Sequence, residues 1–346
     1  MRNLMLVGTA VTRPGAVGSL YRLKPGGELE LAEGIPLDAC VQAITPHPIR
    51  PEVVYLATRK GLYRSSDGAQ SWERLAVTPA PVPIWSLAVS PHNPDVLIAG
   101  TAPVGFWRSE DAGQSWAQCT GEFPERFHIS FGGSRLMRVA FHPTDPNLAY
   151  AAAEISGFYL SEDGGRHWRS EAQGLSALAG LAHLKNTELT TDDTEGMFDG
   201  HAVTTTPAKP DAVYYICRMG IFESLDRGKH FRDLAVRNFA PFDYTRECRV
   251  IHGQPTSMYA CFSISSRSHA GALYRTDDLG ERWYRADEGV TARSTMMGFG
   301  THVSDPAGVI TVTRGGQVFY TLDGGRKWVE KQLPEDAGDA FCSAIL

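Results

Sequence analysis

Apolar residues along this chain fall into short runs, each cut off by turn-forming residues, and the order of runs and turns repeats. The stretch from 41 to 76 shows the unit: VQAIT, a Pro-rich segment, VVYLAT, a tight RKG loop, LYRS, the turn SSDGAQ, and SWERL. Runs this short, rich in β-branched and aromatic residues and bounded by Gly, Pro, Asp and Ser, predict strands rather than helices. The same grammar returns in SLAVSPHNPDVLIAGT followed by FWRSEDAGQSWAQC, and in RVAFHPTDPNLAYAAAE followed by FYLSEDGGRHWRS.

The third turn of each unit is nearly constant. The pattern S/T-x-D-x-G-x-x-W occurs at 65-SSDGAQSW, 109-SEDAGQSW, 161-SEDGGRHW, 224-SLDRGKHF, 276-TDDLGERW and 321-TLDGGRKW, at intervals of 44, 52, 63, 52 and 45 residues. Such a period predicts one four-stranded propeller blade per repeat. Ser or Thr and Asp can hydrogen-bond the backbone of their own turn, Gly accepts a left-handed conformation, and the closing aromatic buries area beside a neighbouring blade. Asp67, Asp111, Asp163, Asp226, Asp278 and Asp323 are thereby explained as folding residues. His47, His92, His142 and His302, in the Pro-rich first-to-second strand turns, read the same way.

A seventh blade is expected from the chain ends. LMLVGTA (4–10), SLYRL (19–23) and ELELA (28–32) match second, third and fourth strands, and the tail AFCSAIL (340–346) is expected to supply the missing inner strand, closing the ring and removing two sheet edges. The expectation is an all-β, seven-bladed β-propeller occupying 1–346 as one domain. The six turns resemble the Asp boxes, or BNR repeats, of sialidases, xyloglucan hydrolases, sortilin-type receptors and photosystem assembly factors. The resemblance implies that the boxes lie on the face opposite the usual binding site. It implies no single activity, because those relatives include enzymes, receptors and assembly factors. Sialidases carry an F/Y-R-I-P signature on six blades, which this chain lacks, so their arginine triad is not carried over.

Composition adds exclusions. A net charge of −6 argues against nucleic acid as the main partner, and the lack of any run of about 18 apolar residues means that no membrane span is predicted. Six scattered cysteines without a C-x-x-C pair suit reduced thiols in a cytoplasmic protein. Cys217 reads as a buried unreactive thiol. Nucleophile-elbow, P-loop and dinucleotide motifs are absent in a suitable context.

Function is expected at the mouth opposite the repeated turns, built from second-to-third strand loops and blade connections. Aligned blades give the equivalent positions Ala10, Arg59, Ala102, Glu154, Arg218, Phe262 and Arg314. Three arginines in one slot suit a carboxylate or phosphate, since the guanidinium fork binds two oxygens at once; alternatively they pair with rim carboxylates such as Glu154. Two long connections, 121–138 with His128 and a Gly-Gly hinge, and 173–201 with an apolar start and an acidic end, border this region. In the second, Asp192, Asp193 and Glu195 read as solvated acids, while Asp199 and His201 are better candidates for proton transfer. Inner-strand alignment puts Trp85, Met137, His201 and Glu247 in the channel, with Arg138 one residue beyond Met137. His269 lies on a loop that reaches toward the opening. No cofactor is expected; the secondary alternative is a divalent metal held by His128, His183, His201 and His269.

Two functions follow. One is a hydrolase or lyase, glycosidase-like, acting on a small anionic substrate such as a sugar acid. It would be held by Arg59, Arg138, Arg218, Arg314, His128, His269 and Trp85, with Glu154, Asp199, His201 and Glu247 handling the proton. The other is a non-catalytic scaffold binding a ligand or a protein partner through exposed aromatics such as Trp85, Phe127 and Phe198. Aligned arginines and clustered long connections favour the enzyme.

Overall fold

The fold is that of a computed structural model, which describes residues 3–123, 125–128, 132–185, 195–242 and 244–346, with 127 and 128 described in backbone only. Among the described residues seven blade sheets carry the chain, with one small two-stranded sheet beside them. Blades 1 to 6 take their inner strands from Val41–Pro46, Ile84–Val89, Arg135–Phe141, Gly200–Thr205, Tyr244–Ile251 and Met296–Thr301. Each continues outward in chain order through antiparallel second, third and fourth strands. Blade 7 joins the chain ends: Asp339–Ile345 pairs with Met5–Ala10, followed outward by Leu20–Leu23 and Leu29–Leu31. The predicted seven-bladed ring, closed by its tail, is the fold observed.

The repeated turns fold as their residue types require. In all six, the Ser or Thr hydroxyl donates to the Asp two positions on, at 2.8 or 2.9 Å. That hydroxyl accepts an amide N–H four residues on, from Ala69 or from the glycine in its slot. The slot residue has positive φ, from +65° at Ala69 to +97° at Gly280, which is why glycine fills five of six copies. His47, His142 and His302 each accept two backbone N–H groups at Nδ1, so they too hold turns.

The core is divided among the blade interfaces. Seven apolar clusters each join residues of two adjacent blades. Trp168 of blade 3 is fully buried and stacks on Phe106 of blade 2 at 4.1 Å, while Phe231 of blade 4 meets Phe158 of blade 3 at 5.3 Å. All six cysteines are buried and unpaired, and among the described residues no helix is long and apolar enough to cross a membrane.

The long connections are partly structured. Within 121–138, Thr120–Gly121 adds a fifth, parallel strand to blade 3, and Phe127–His128 pairs with Gly132–Gly133. The apolar start of 173–201 is a helix, Gln173–Ala179, and a second helix, Glu195–Phe198, leads into blade 4. Asp192 and Asp193 lie outside the described residues.

Candidate functional site

Every inner strand carries a β-bulge near its mouth end, where one residue has no partner on the second strand. The extra residues are Gln42, Trp85, Met137, His201, Arg246, Met297 and, in blade 7, Phe341. A bulge re-aims a side chain, so seven equivalent positions form a ring around the axis. Trp85, Met137 and His201 stand where the sequence places them. In blade 5 the bulge is Arg246, one residue before the expected Glu247. The slip has a physical cause: blade 5 replaces the longer Pro-containing first-to-second strand turn with a tight His252–Gly253 hairpin, so its strand offers no anchor for alignment.

Around His201 and Arg246 the mouth is charged and buried. Glu154, Asp199 and His201 are only 7%, 4% and 3% exposed, and one ligand atom from each lies within 4.8 Å of the others. Asp199 Oδ2 accepts from Arg218 Nε at 2.9 Å and stands 3.5 Å from His201 Nε2. Arg218 also reaches Glu195 at 3.3 Å. Glu154 accepts from Arg135 at 3.1 Å, with Arg246 3.6 Å from its other oxygen. Burial alone would raise the Asp199 carboxyl, but the His201 imidazole when protonated, with Arg218 and Arg246, holds it below the usual carboxylate range. Tyr244 packs on the imidazole at 5.2 Å, and burial pushes its phenol up.

Further along the axis the inner strands enclose a cavity of about 290 Å³ lined by Arg138, Glu247 and Arg249 among apolar groups. Glu247 accepts from Arg138 at 2.7 Å and lies 3.6 Å from Arg249. Burial opposes ionisation of Glu247, yet the two guanidiniums hold its carboxyl down. Its carboxylate is the counter-ion that the two guanidiniums share.

The three slot arginines are occupied separately. Arg218 is tied to Asp199 and Glu195; Arg314 binds Asp339 at 2.7 Å and the Ser266 carbonyl at 2.8 Å; Arg59 is exposed and lies over Trp85 at 5.8 Å. Trp85, 6% exposed, is also covered by Arg135 at 4.6 Å. The alternative four-histidine grouping is not seen among the described side chains. His183 pairs with Asp233 at 3.1 Å, His269 is exposed, the His128 side chain lies outside the described atoms, and His201 gathers with carboxylates instead. The Cys217 thiol is pushed up by burial and is no nucleophile. Arg135 and Arg246 are not singled out by the sequence, where the arginine candidates came from the second-to-third strand slots and, on the inner strands, Arg138 alone.

No protein-family profile matches the chain. The chain is 30% identical over 181 residues to a probable oligoxyloglucan-reducing end-specific xyloglucanase of Neosartorya fischeri, covering 44% of this chain and 21% of that protein. A GH74 xyloglucanase structure from Xanthomonas campestris superposes with a TM-score of 0.62 at 18% identity, over 99% of this chain and 52% of that one. In fold it is similar to the xyloglucanases. The chain spans about half or less of their length. A structure of YCF48 bound to D1 peptide also matches, with a TM-score of 0.53 at 13% identity, over 85% of this chain and 82% of that one.

Proposed function

We propose that this propeller, a member of the BNR-repeat group by its turns, is a hydrolase or lyase that takes a small anionic substrate of the sugar-acid class into its mouth. The observation that carries the reading is the buried gathering of Glu154, Asp199 and His201 beside Arg135, Arg218 and Arg246. Carboxylates and an imidazole within one contact shell can exchange a proton with a substrate, and the guanidiniums can hold its anionic group. Positive charge is in surplus further in, where Arg138 and Arg249 share the single carboxylate Glu247. The xyloglucan-cleaving relatives support carbohydrate as the substrate class. Six unpaired cysteines support a reducing compartment such as the cytoplasm.

The alternative, a scaffold for a protein partner, has one observation in its favour: the chain spans 82% of the YCF48 structure whose bound partner is a peptide. Against it, two of its three expected docking aromatics, Trp85 and Phe198, are only 6% and 8% exposed, while the Phe127 side chain lies outside the described atoms. The deciding experiment screens uronic acids, uronate oligosaccharides, sugar phosphates and neutral xyloglucan oligosaccharides by thermal shift and by product detection. Anionic sugars are expected to raise the melting temperature and to turn over, and Arg246→Ala is expected to abolish both responses. No shift and no product with any anionic sugar would sink the reading.

A further inference from the structure

His201 enters the mouth with one ring nitrogen already assigned. Nδ1 lies 2.7 Å from the carbonyl oxygen of Thr245, which can only accept, so Nδ1 carries a proton. Nε2 therefore presents its lone pair toward Asp199 in the neutral ring. Asp199 is engaged through Oδ2 by Arg218, while its Oδ1 is buried without a hydrogen-bond partner. Glu154 is steadied by Arg135 on Oε2 at 3.1 Å. Two carboxylates and an imidazole, each more than nine-tenths buried, thus bring ligand atoms within 4.8 Å of one another.

A buried acceptor left without a partner is costly, and so are acceptors facing one another in a low-dielectric site. A proton on Nε2 would satisfy the contact to Asp199 Oδ2 but leave Oδ1 orphaned. A cation between the three groups satisfies all of them. We propose that Glu154, Asp199 and His201 bind one first-row transition dication, zinc or manganese. One nitrogen and two oxygens suit these ions better than magnesium or calcium, which favour all-oxygen sets. The Thr245 carbonyl on Nδ1, Arg218 on Asp199 Oδ2 and Arg135 on Glu154 Oε2 are the outer-sphere partners that orient metal ligands. Three protein ligands leave a coordination position open. Because Arg135, Arg218 and Arg246 already offset the carboxylates, the ion brings surplus positive charge, and the open position favours an anion.

This inference is tested without substrate, so it stands or falls apart from the enzymatic reading. Chelator-treated protein is titrated with zinc chloride and with manganese chloride by calorimetry, and with cobalt chloride by visible absorption. One ion per chain is expected. His201→Phe, which keeps an aromatic ring against Tyr244, and Asp199→Asn are expected to weaken uptake by more than the roughly 10–100-fold that loss of an outer-sphere partner costs. A cooperative melting transition in His201→Phe shows that the fold persists even if Asp199→Asn, which also disturbs Arg218, does not fold. His183→Ala with His230→Ala, which removes two exposed histidine–aspartate pairs, is expected to leave uptake unchanged. Absence of saturable uptake of zinc or manganese by the unaltered protein, undiminished uptake in folded His201→Phe, or loss of uptake in the double variant would overturn the proposal.

Discussion

Asp111 shows what a single residue of the repeated turn does. The Ser115 hydroxyl and amide, then Ser109, donate to its carboxylate and hold the carboxyl down from 3.8 to about 2. A carboxyl depressed on folding contributes stability that is complete above its unfolded value and is lost as pH falls through its folded one. Urea midpoints are therefore expected to drop between about pH 4 and about pH 2. Asp111→Asn should show a shallower drop across that window; an equal drop would mean that the turn carboxylates do not set acid stability. The role of this residue was legible in the sequence, because the turn contacts are local. The role of Asp199 was only partly so: its place before an inner strand was visible, but not the burial that orphans its Oδ1, nor the neighbouring Glu154, which comes from another blade.

At the scale of elements, the seven strand quartets were legible from the alternation of apolar runs and turns. The register within them was not. One bulge per inner strand changes which residue faces the axis, and its place depends on pairing with the second strand. In blades 2, 3 and 4, whose longer Pro-containing turns share one pattern, the alignment holds, while in blade 5 it slips by one and hides Arg246. The aromatic that closes each turn was read as a packing residue, and Trp168 bears this out by stacking on Phe106 of the preceding blade. Trp168→Ala should cost about 3–5 kcal/mol, read from chemical denaturation. A loss below about 1 kcal/mol would show that the interface between blades 2 and 3 reseals, contrary to close packing.

At the scale of the whole molecule, closure is the feature on which the mouth depends. Asp339–Ile345 lies against Met5–Ala10, and without it blade 7 has no inner strand. Deletion of 339–346 should abolish cooperative unfolding and expose a sheet edge prone to association. A peptide carrying those residues should restore the transition in trans; an unchanged melting midpoint in the truncated protein would refute the dependence. What the sequence alone determined is strand length and turn chemistry, governed by residues within a few positions of one another, and the repeat of those local signals that counts the blades. Only the tertiary structure decided which charges meet, because Glu154 of blade 3, His201 of blade 4 and Arg246 of blade 5 are brought to one axis by ring geometry. Their distances follow from bulge register and blade spacing, which no short stretch of chain encodes.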